Sequence, residues 1–453
     1  MEIDGLKRVL GLPAVAFIAV GMTIGGGVFV FTGIVLKITG PALPLAFALA
    51  VVPVFLSMLP LAMLGSALPV VGGNYVYPSR MVSPRLAFTG IWIYALATFF
   101  GQIPLYSIAC ARYAAVIVPG LPEVPFAAGL VTFFCLINVI GVRPAAQIQA
   151  VMVVLLIAAL VYFSSRGLAE IRPGNFEGLF GQGAGSLLLG TALLTFTYLG
   201  SNGIIELGQE IKDPGRVIPR AYFIAFPVIT IIYLLVALAV VNSLPWRSLA
   251  GAKEPLIEIG RATMGRGGLV FFVLGGAVLA LTTTLNALFM LATKSIMMIT
   301  RDGLLPGSLG RVNARFGTPH ILLIAIWAIS MIGVFSGLSL ETFAAYAAMG
   351  GILIFVPVLI ASMVFPRRYP EAYREAPFRL KGFWRYFCPV VGILVGIFFC
   401  VAILADLGDA ARVAPFLLFI VSGLVYYEAR RRWLMRRGIN VEETITNDRG
   451  MVS

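Results

Sequence analysis

Twelve apolar stretches divide this chain, and no other feature constrains its fold as tightly. A bilayer core of about 30 Å takes about 20 apolar residues per helical crossing. Cutting the sequence at charged and Pro/Gly-rich breaks leaves stretches near Pro13 to Leu36, Pro41 to Leu64, Leu86 to Val118, Phe126 to Ile140, Ala145 to Phe163, Ser186 to Leu207, Ala221 to Val241, Gly267 to Ile299, Ile321 to Phe335, Leu340 to Phe365, Phe387 to Leu407 and Val413 to Tyr427. Lipid offers the backbone no hydrogen bonds, so such stretches must satisfy their own N–H and C=O groups, as helices do. The expected class is therefore an all-α membrane protein with about twelve transmembrane helices. The longest polar connections, about 20 to 25 residues, are too short to fold alone, which leaves function to the membrane portion. The first stretch is too long and too Gly-broken for a cleavable signal and is expected to remain in the protein.

Charge sets orientation. With the N-terminus inside, 24 of the 33 Lys and Arg residues fall at cytoplasmic ends, and the positive-inside rule then puts both termini in the cytoplasm of a plasma membrane. Contact with anionic headgroups accounts for the net charge of +13 without nucleic acid as a partner. The four cysteines, Cys110, Cys135, Cys388 and Cys400, lie in apolar stretches without metal-ligand spacing, and His320 is the only histidine, so no metal site and no cofactor is expected. An enzyme would need paired acids, a Ser with a base or a metal cluster within the spans. Asp406 stands alone in its span, and no such constellation can be assembled.

Two of the apolar stretches break at their centres: Gly21-Met22-Thr23-Ile24-Gly25-Gly26-Gly27 in the first and Thr197-Tyr198-Leu199-Gly200-Ser201-Asn202-Gly203 in the sixth. A helix interrupted inside a bilayer exposes polar backbone that must line a protein cavity, and paired breaks in corresponding positions point to a transporter's substrate site. The half-helix starting near Gly27 aims its positive end at the cavity, which suits a carboxylate. The facing carbonyls near Thr23 and Ile24 suit an ammonium, so one zwitterionic head group satisfies both. Gly21 and Gly25 can also be read as a GxxxG packing face.

Further motifs follow in order: Pro69-Val70-Val71-Gly72-Gly73-Asn74-Tyr75-Val76-Tyr77 after the second stretch, Gly208-Gln209-Glu210-Ile211-Lys212-Asp213-Pro214-Gly215-Arg216 after the sixth, and Arg301-Asp302-Gly303-Leu304-Leu305-Pro306 after the eighth. Together with the first break they resemble the amino acid, polyamine and organocation (APC) transporter superfamily over nearly the whole chain. The resemblance implies a five-plus-five inverted repeat of the LeuT-like type with discontinuous helices 1 and 6. Repeat one would span about 10–165 and repeat two about 185–365, with peripheral helices at about 385–430, all within one domain at 1–430, followed by a cytoplasmic tail at 431–453. It also implies alternating access around a central site. A polar tail from Asn440 to Ser453 is expected to be disordered.

By the same resemblance, Thr23, Ile24, Gly25, Gly26 and Gly27 hold the substrate head group, Phe196 is an aromatic gate, and Gly200, Ser201 and Asn202 shape side-chain specificity. Relatives usually carry Ser or Thr where this chain has Gly26, so one side-chain hydrogen bond is expected to be missing. Asn202 falls where some cation-selective relatives place an acid; an uncharged amide gives no counter-ion for a second positive charge. A neutral amino acid is favoured, by symport or exchange, over a polyamine or cationic amino acid. The coupling ion is left between two readings. Sodium would sit among Gly21, Ile24, Leu279, Thr282 and Thr283, although Thr in membrane helices commonly bonds its own i−4 carbonyl. A proton would use Glu206, an acid within a span, although Glu206 can equally be read as solvated in an inner vestibule or paired with a nearby basic loop, and uncoupled exchange stays open. A lysine that replaces sodium in some relatives has no counterpart, since aligning on Gly141-Val142-Arg143 puts Leu156 at its position.

Overall fold

The computed structural model describes residues 8, 10–140, 146–252, 254–313, 315–408 and 410–447. Gly141-Val142-Arg143 and the first residue of the fifth stretch, Ala145, lie outside them. Among the described residues the chain is nearly all helix and has no strand, only single bridges pairing Leu10 with Ile211 and Val71 with Leu207.

Helices α1 (Leu12–Thr23) and α2 (Gly26–Thr39) are the halves of one broken rod, and α3 (Leu43–Ala67) follows after a turn at Gly40, whose φ of +56° suits glycine. Short α4 (Gly73–Met81) leads to α5 (Pro84–Leu96) and α6 (Ile103–Ala115), joined by a π-helical segment at Ala97–Gln102. Then come α7 (Glu123–Ile140), α8 (Ala146–Gly167) and α9 (Gly183–Tyr198), and α9 tightens into a 3₁₀ segment at Leu199–Glu206. Long α10 (Pro214–Ser243) is followed by the short helices α11 (Trp246–Ala250) and α12 (Pro255–Thr263). A second π segment, Phe272–Val278, joins α13 (Arg266–Phe271) to α14 (Leu279–Arg301). The chain ends with α15 (His320–Phe335), α16 (Leu340–Leu353), α17 (Phe355–Arg368), α18 (Pro370–Glu375), α19 (Trp384–Leu407), α20 (Ala410–Met435) and α21 (Val441–Thr446).

Nine helical stretches among the described residues are long and apolar enough to cross a membrane, counting Leu12–Ala67 as one, and Met152–Gly167 and His320–Phe335 are shorter apolar helices. The tenth apolar stretch is split at Ile354, an interruption the sequence pattern does not announce. The two broken rods lie at the centre, with α1 against α10, α8 and the 3₁₀ segment, and α2 against α9. Peripheral α7, α19 and α20 expose Phe133, Leu394, Val401, Leu418 and Val425, an apolar exterior suited to lipid.

One end of the bundle carries Leu10, paired with Ile211, and α21, packed against α4. There Gly72, at φ +71°, turns the chain into α4, and a Cβ at the adjacent Gly73 would meet the Ile205 carbonyl oxygen at 2.8 Å. This accounts for the paired glycines of that motif. The Arg80 guanidinium grips Asp302 with both nitrogens (2.6 and 2.8 Å), and the Tyr75 hydroxyl donates to the same carboxylate (2.6 Å). The expectation of a disordered tail is corrected up to Asn447: α21 forms, capped by the Asn440 side chain and burying Val441 and Ile445. Asn440-Val441-Glu442-Glu443 carries the cap signal, a short acceptor followed three residues later by Glu; residues 448–453 lie outside the described set.

At the opposite end α11 and α12 cover the bundle, with the Pro255 ring against Gly33 of α2. Glu254, just before α12, lies 3.9 Å from Arg112 of α6, which is bonded to Glu123 of α7; Lys37 of α2 and Glu341 of α16 also act on it. Burial raises the Glu254 carboxyl from 4.5 to about 7, with Arg112 and Lys37 offsetting part of that cost. Its folded-state pKa is raised, so the native state holds a proton that the unfolded chain has released. Stability tied to this group is full below about 4.5 and is lost as pH climbs through about 7. The wild-type melting midpoint should therefore fall between about pH 5 and pH 8, by up to about 3 kcal/mol of stability, while Glu254→Gln stays level. Parallel curves in a detergent melting series would remove Glu254 from this role.

Candidate functional site

The two breaks meet face to face. α1 stops at Thr23 and α2 restarts at Gly26, while α9 gives way to the 3₁₀ segment after Tyr198. A Cβ at Gly200 would overlap the Met22 carbonyl and come within 2.7 Å of the Thr23 Cα, so only glycine lets the second break lie on the first. The buried Tyr233 hydroxyl of α10 ties them together, donating to the Thr23 carbonyl (2.6 Å) and lying 3.1 Å from that of Thr197.

Between the breaks lies a central cavity. It is lined by Gly21, Met22, Thr23, Gly25, Gly26 and Gly27 from the first, and by Phe196, Thr197, Leu199, Gly200, Asn202, Gly203 and Glu206 from the second. Ile24, Ser201, Leu279 and Thr282 do not line it, whereas Thr283 does. Apolar walls come from Ile91, Tyr94, Phe99, Tyr106, Leu288 and Phe355. Phe196 is nearly buried, its ring 5.1 Å from that of Phe31 and beside Gly351, where a Cβ would meet it at 2.8 Å. Phe99 and Gln102 belong to the first π segment; the extra residue in such a turn re-aims side chains, and these segments recur at functional sites.

Three features escape a reading of the sequence alone. First, the Gly26 N–H donates to the Thr284 hydroxyl of α14 (2.9 Å), so a side chain 258 positions away brings a hydroxyl to the break, where the sequence reading expected one to be missing. A Cβ at Gly25 would overlap that same oxygen, and one at Gly26 would meet Leu281 at 2.6 Å and Tyr106 at 2.9 Å. One expected free donor is thus engaged, and the remaining open N–H groups of α2 begin at Gly27. Second, Asn74 of the glycine-paired motif reaches the cavity. Third, among the described residues Glu206 is not paired with a basic side chain: its Oε1 accepts from the Asn74 N–H (3.1 Å) and Nδ2 (2.7 Å), and the Ser295 hydroxyl lies 3.2 Å from Oε2. The nearby Lys294 ammonium bonds Glu210 (3.1 Å). The only sequence signal for these partners is their residue type.

The threonines of α14 differ in use. Thr282 donates back to Val278 (2.7 Å), Thr283 to Ala280 (3.0 Å) and Thr284 to Ala280 (2.8 Å). A hydroxyl that spends its proton in this way keeps lone pairs for a cation, so the residue types suit a hard ion. Leu156 is buried in α8. Among the described residues no group of three or more His, Cys, Asp or Glu is placed to hold a metal.

The amino acid permease family profile matches residues 10–427. The chain is 25% identical to a branched-chain amino acid permease of Bacillus subtilis, with 93% of this chain and 92% of that one covered. It is 27% identical to a methylthioribose transporter of the same organism, with 94% of each covered. It is also 27% identical to a vacuolar cationic amino acid transporter of Arabidopsis thaliana, over 79% of this chain and 63% of that protein.

Proposed function

The chain belongs to the amino acid permease family, and from that premise we propose that it carries neutral amino acids across a plasma membrane by alternating access, as a symporter or exchanger. The observation that carries this reading is the meeting of two broken helices around one cavity. The head group would lie between the N–H groups that begin α2 at Gly27 and acceptors of the second break, with the side chain against Tyr94, Phe99 and Phe355. Neutrality follows from the charge balance. Among the described residues the carboxylate at the cavity, Glu206, is supplied with three neutral donors, so a cationic side chain gains little there for the water it loses. The branched-chain permease among the relatives favours the same class.

For the architecture we propose twelve crossings in a five-plus-five inverted repeat. Leu12–Ala67 is long enough to cross twice, and the two shorter apolar helices complete the number. The interruptions support the repeat: the π segments begin at Ala97, 74 residues after Thr23, and at Phe272, 74 residues after Tyr198 (97 − 23 and 272 − 198). Both termini are proposed to be cytoplasmic. Sodium at Gly21, Ile24, Leu279, Thr282 and Thr283 is the first coupling proposal, and protonation of Glu206 the second.

Thermal stabilisation of the purified protein by the twenty amino acids and several polyamines, each with sodium or choline, tests this reading. A ligand at 100 times its Kd adds about 2.7 kcal/mol to stability. Leucine, isoleucine and valine should raise the midpoint, more so with sodium if the α14 threonines coordinate it. A shift with lysine, arginine or polyamines alone would replace neutral by cationic substrates, and no shift with any would reject the substrate class.

A further inference from the structure

Three elements close one end of the central cavity. Asn74, Glu206 and Ser295 line it there, and their hydrogen bonds join α4, the 3₁₀ segment and α14 around one carboxylate. The same short helix faces the other way through Tyr75 and Arg80, which reach Asp302 past the end of α14. On its far side α4 meets a segment that the sequence suggests is a loose tail. That segment is built to hold it. The Asn440 cap starts α21, and Val441 and Ile445, four residues apart on one helical face, are 2% and 3% exposed, where α21 packs on α4 and α5. α21 is also tied to the helices around it. The buried Tyr427 hydroxyl of α20 donates to Glu442 (3.2 Å), and Arg368 at the end of α17 donates to the Thr446 carbonyl (3.0 Å). α20 in turn donates from Arg430 to the Gly303 carbonyl (2.9 Å), beside Asp302.

We infer that α21 is a latch: by pinning α4 to α20 and α17 it holds the Asn74–Glu206 closure shut, and its release lets α4 swing away and open the cavity at this end. Substrate leaving by this end has to break the bonds from Asn74 to Glu206. With α21 in place, the same movement has to strip α4 from Val441 and Ile445, or pull α21 off Tyr427 and Arg368. Tyr427, Val441 and Ile445 are then positioning residues, which act on the cavity through α4 without lining it. The passage of substrate at this end rests on the alternating-access reading; the hold of α21 on α4 does not.

Two measurements test these parts separately, each on the full chain, a chain shortened before Val441 and the milder Ile445→Ala. In hydrogen exchange read by mass spectrometry, the α4 amides of the shortened chain should exchange about tenfold faster, since a segment that loses its apolar contact opens locally. Ile445→Ala should give a smaller rise, and α11 and α12 at the opposite end should not change. Unchanged exchange in α4 of both altered chains, or equal acceleration at both ends, would overturn the latch. The second measurement places a cysteine at Ala287, which lines the cavity, while the four native cysteines are buried. A hydrophilic maleimide should label Ala287→Cys about tenfold faster once α21 is removed, as the population shifts toward the open cavity. Equal labelling with and without α21 would overturn the gating. A rate that saturating leucine leaves unchanged in every chain would reject the alternating-access reading instead, and the α4 exchange would still decide the latch.

Discussion

Gly200→Ala should reduce amino acid uptake about a hundredfold while leaving the protein folded, since displacing a binding group by about 1 Å can cost a factor of that order. The methyl has nowhere to go. Its neighbours are the Met22 carbonyl and the Thr23 Cα, which are main chain and cannot rotate aside as a side chain would. The added atom must push the two broken helices apart, and with them the two halves of the site. Gly129→Ala provides the contrast. There a Cβ would meet nothing within 4 Å, and the residue lies inside α7, away from the cavity, where alanine is favoured over glycine. Uptake into proteoliposomes, with size-exclusion profiles to establish folding, should separate the two variants widely. Equal, near-normal uptake by both would show that the contact between the breaks does not organise the site.

Arg80→Met should lower stability by about 3 to 5 kcal/mol, the usual cost of removing one partner from a buried ion pair. Arg80 is 1% and Asp302 7% exposed at the side chain. Without the guanidinium, Asp302 keeps the Tyr75 hydroxyl (2.6 Å) but has lost its charge partner in a place water scarcely reaches. Arg80→Met with Asp302→Leu should recover part of the loss, because two apolar side chains leave no buried charge behind. The melting midpoint in detergent reads both variants. If the single variant melts with wild type, the pair does not hold α4 to the end of α14.

The sequence carries the crossings and their interruptions in a local code. Runs of apolar residues fix the spans, and the clusters Gly25-Gly26-Gly27 and Gly200-Ser201-Asn202-Gly203 mark where rods give way, because a helix interior rarely holds so much glycine. The two π segments carry a weaker mark, one glycine (Gly101) in Ala97–Gln102 and the pair Gly275-Gly276 in Phe272–Val278, and their equal spacing from the breaks emerges only from the backbone. The site itself was half legible. Backbone that lines the cavity could be placed from the glycines, but what saturates it could not. Thr284 reaches Gly26 across 258 positions and Asn74 reaches Glu206 across 132. Contacts of that range depend on helix packing, to which a single sequence gives no direct access. The absence of a hydroxyl at Gly26 thus reads as a loss in sequence and as a substitution from α14 in structure.

The claim on which the rest depends is that one amino acid binds between the two broken helices. A structure of the purified protein with saturating leucine tests it most directly. The account predicts density for one zwitterion in the central cavity, its carboxylate at the Gly27 end of α2, its ammonium at acceptors of the second break and its side chain against Phe99 and Phe355. Density outside that cavity, or in it with the head group turned away from both breaks, would contradict the account.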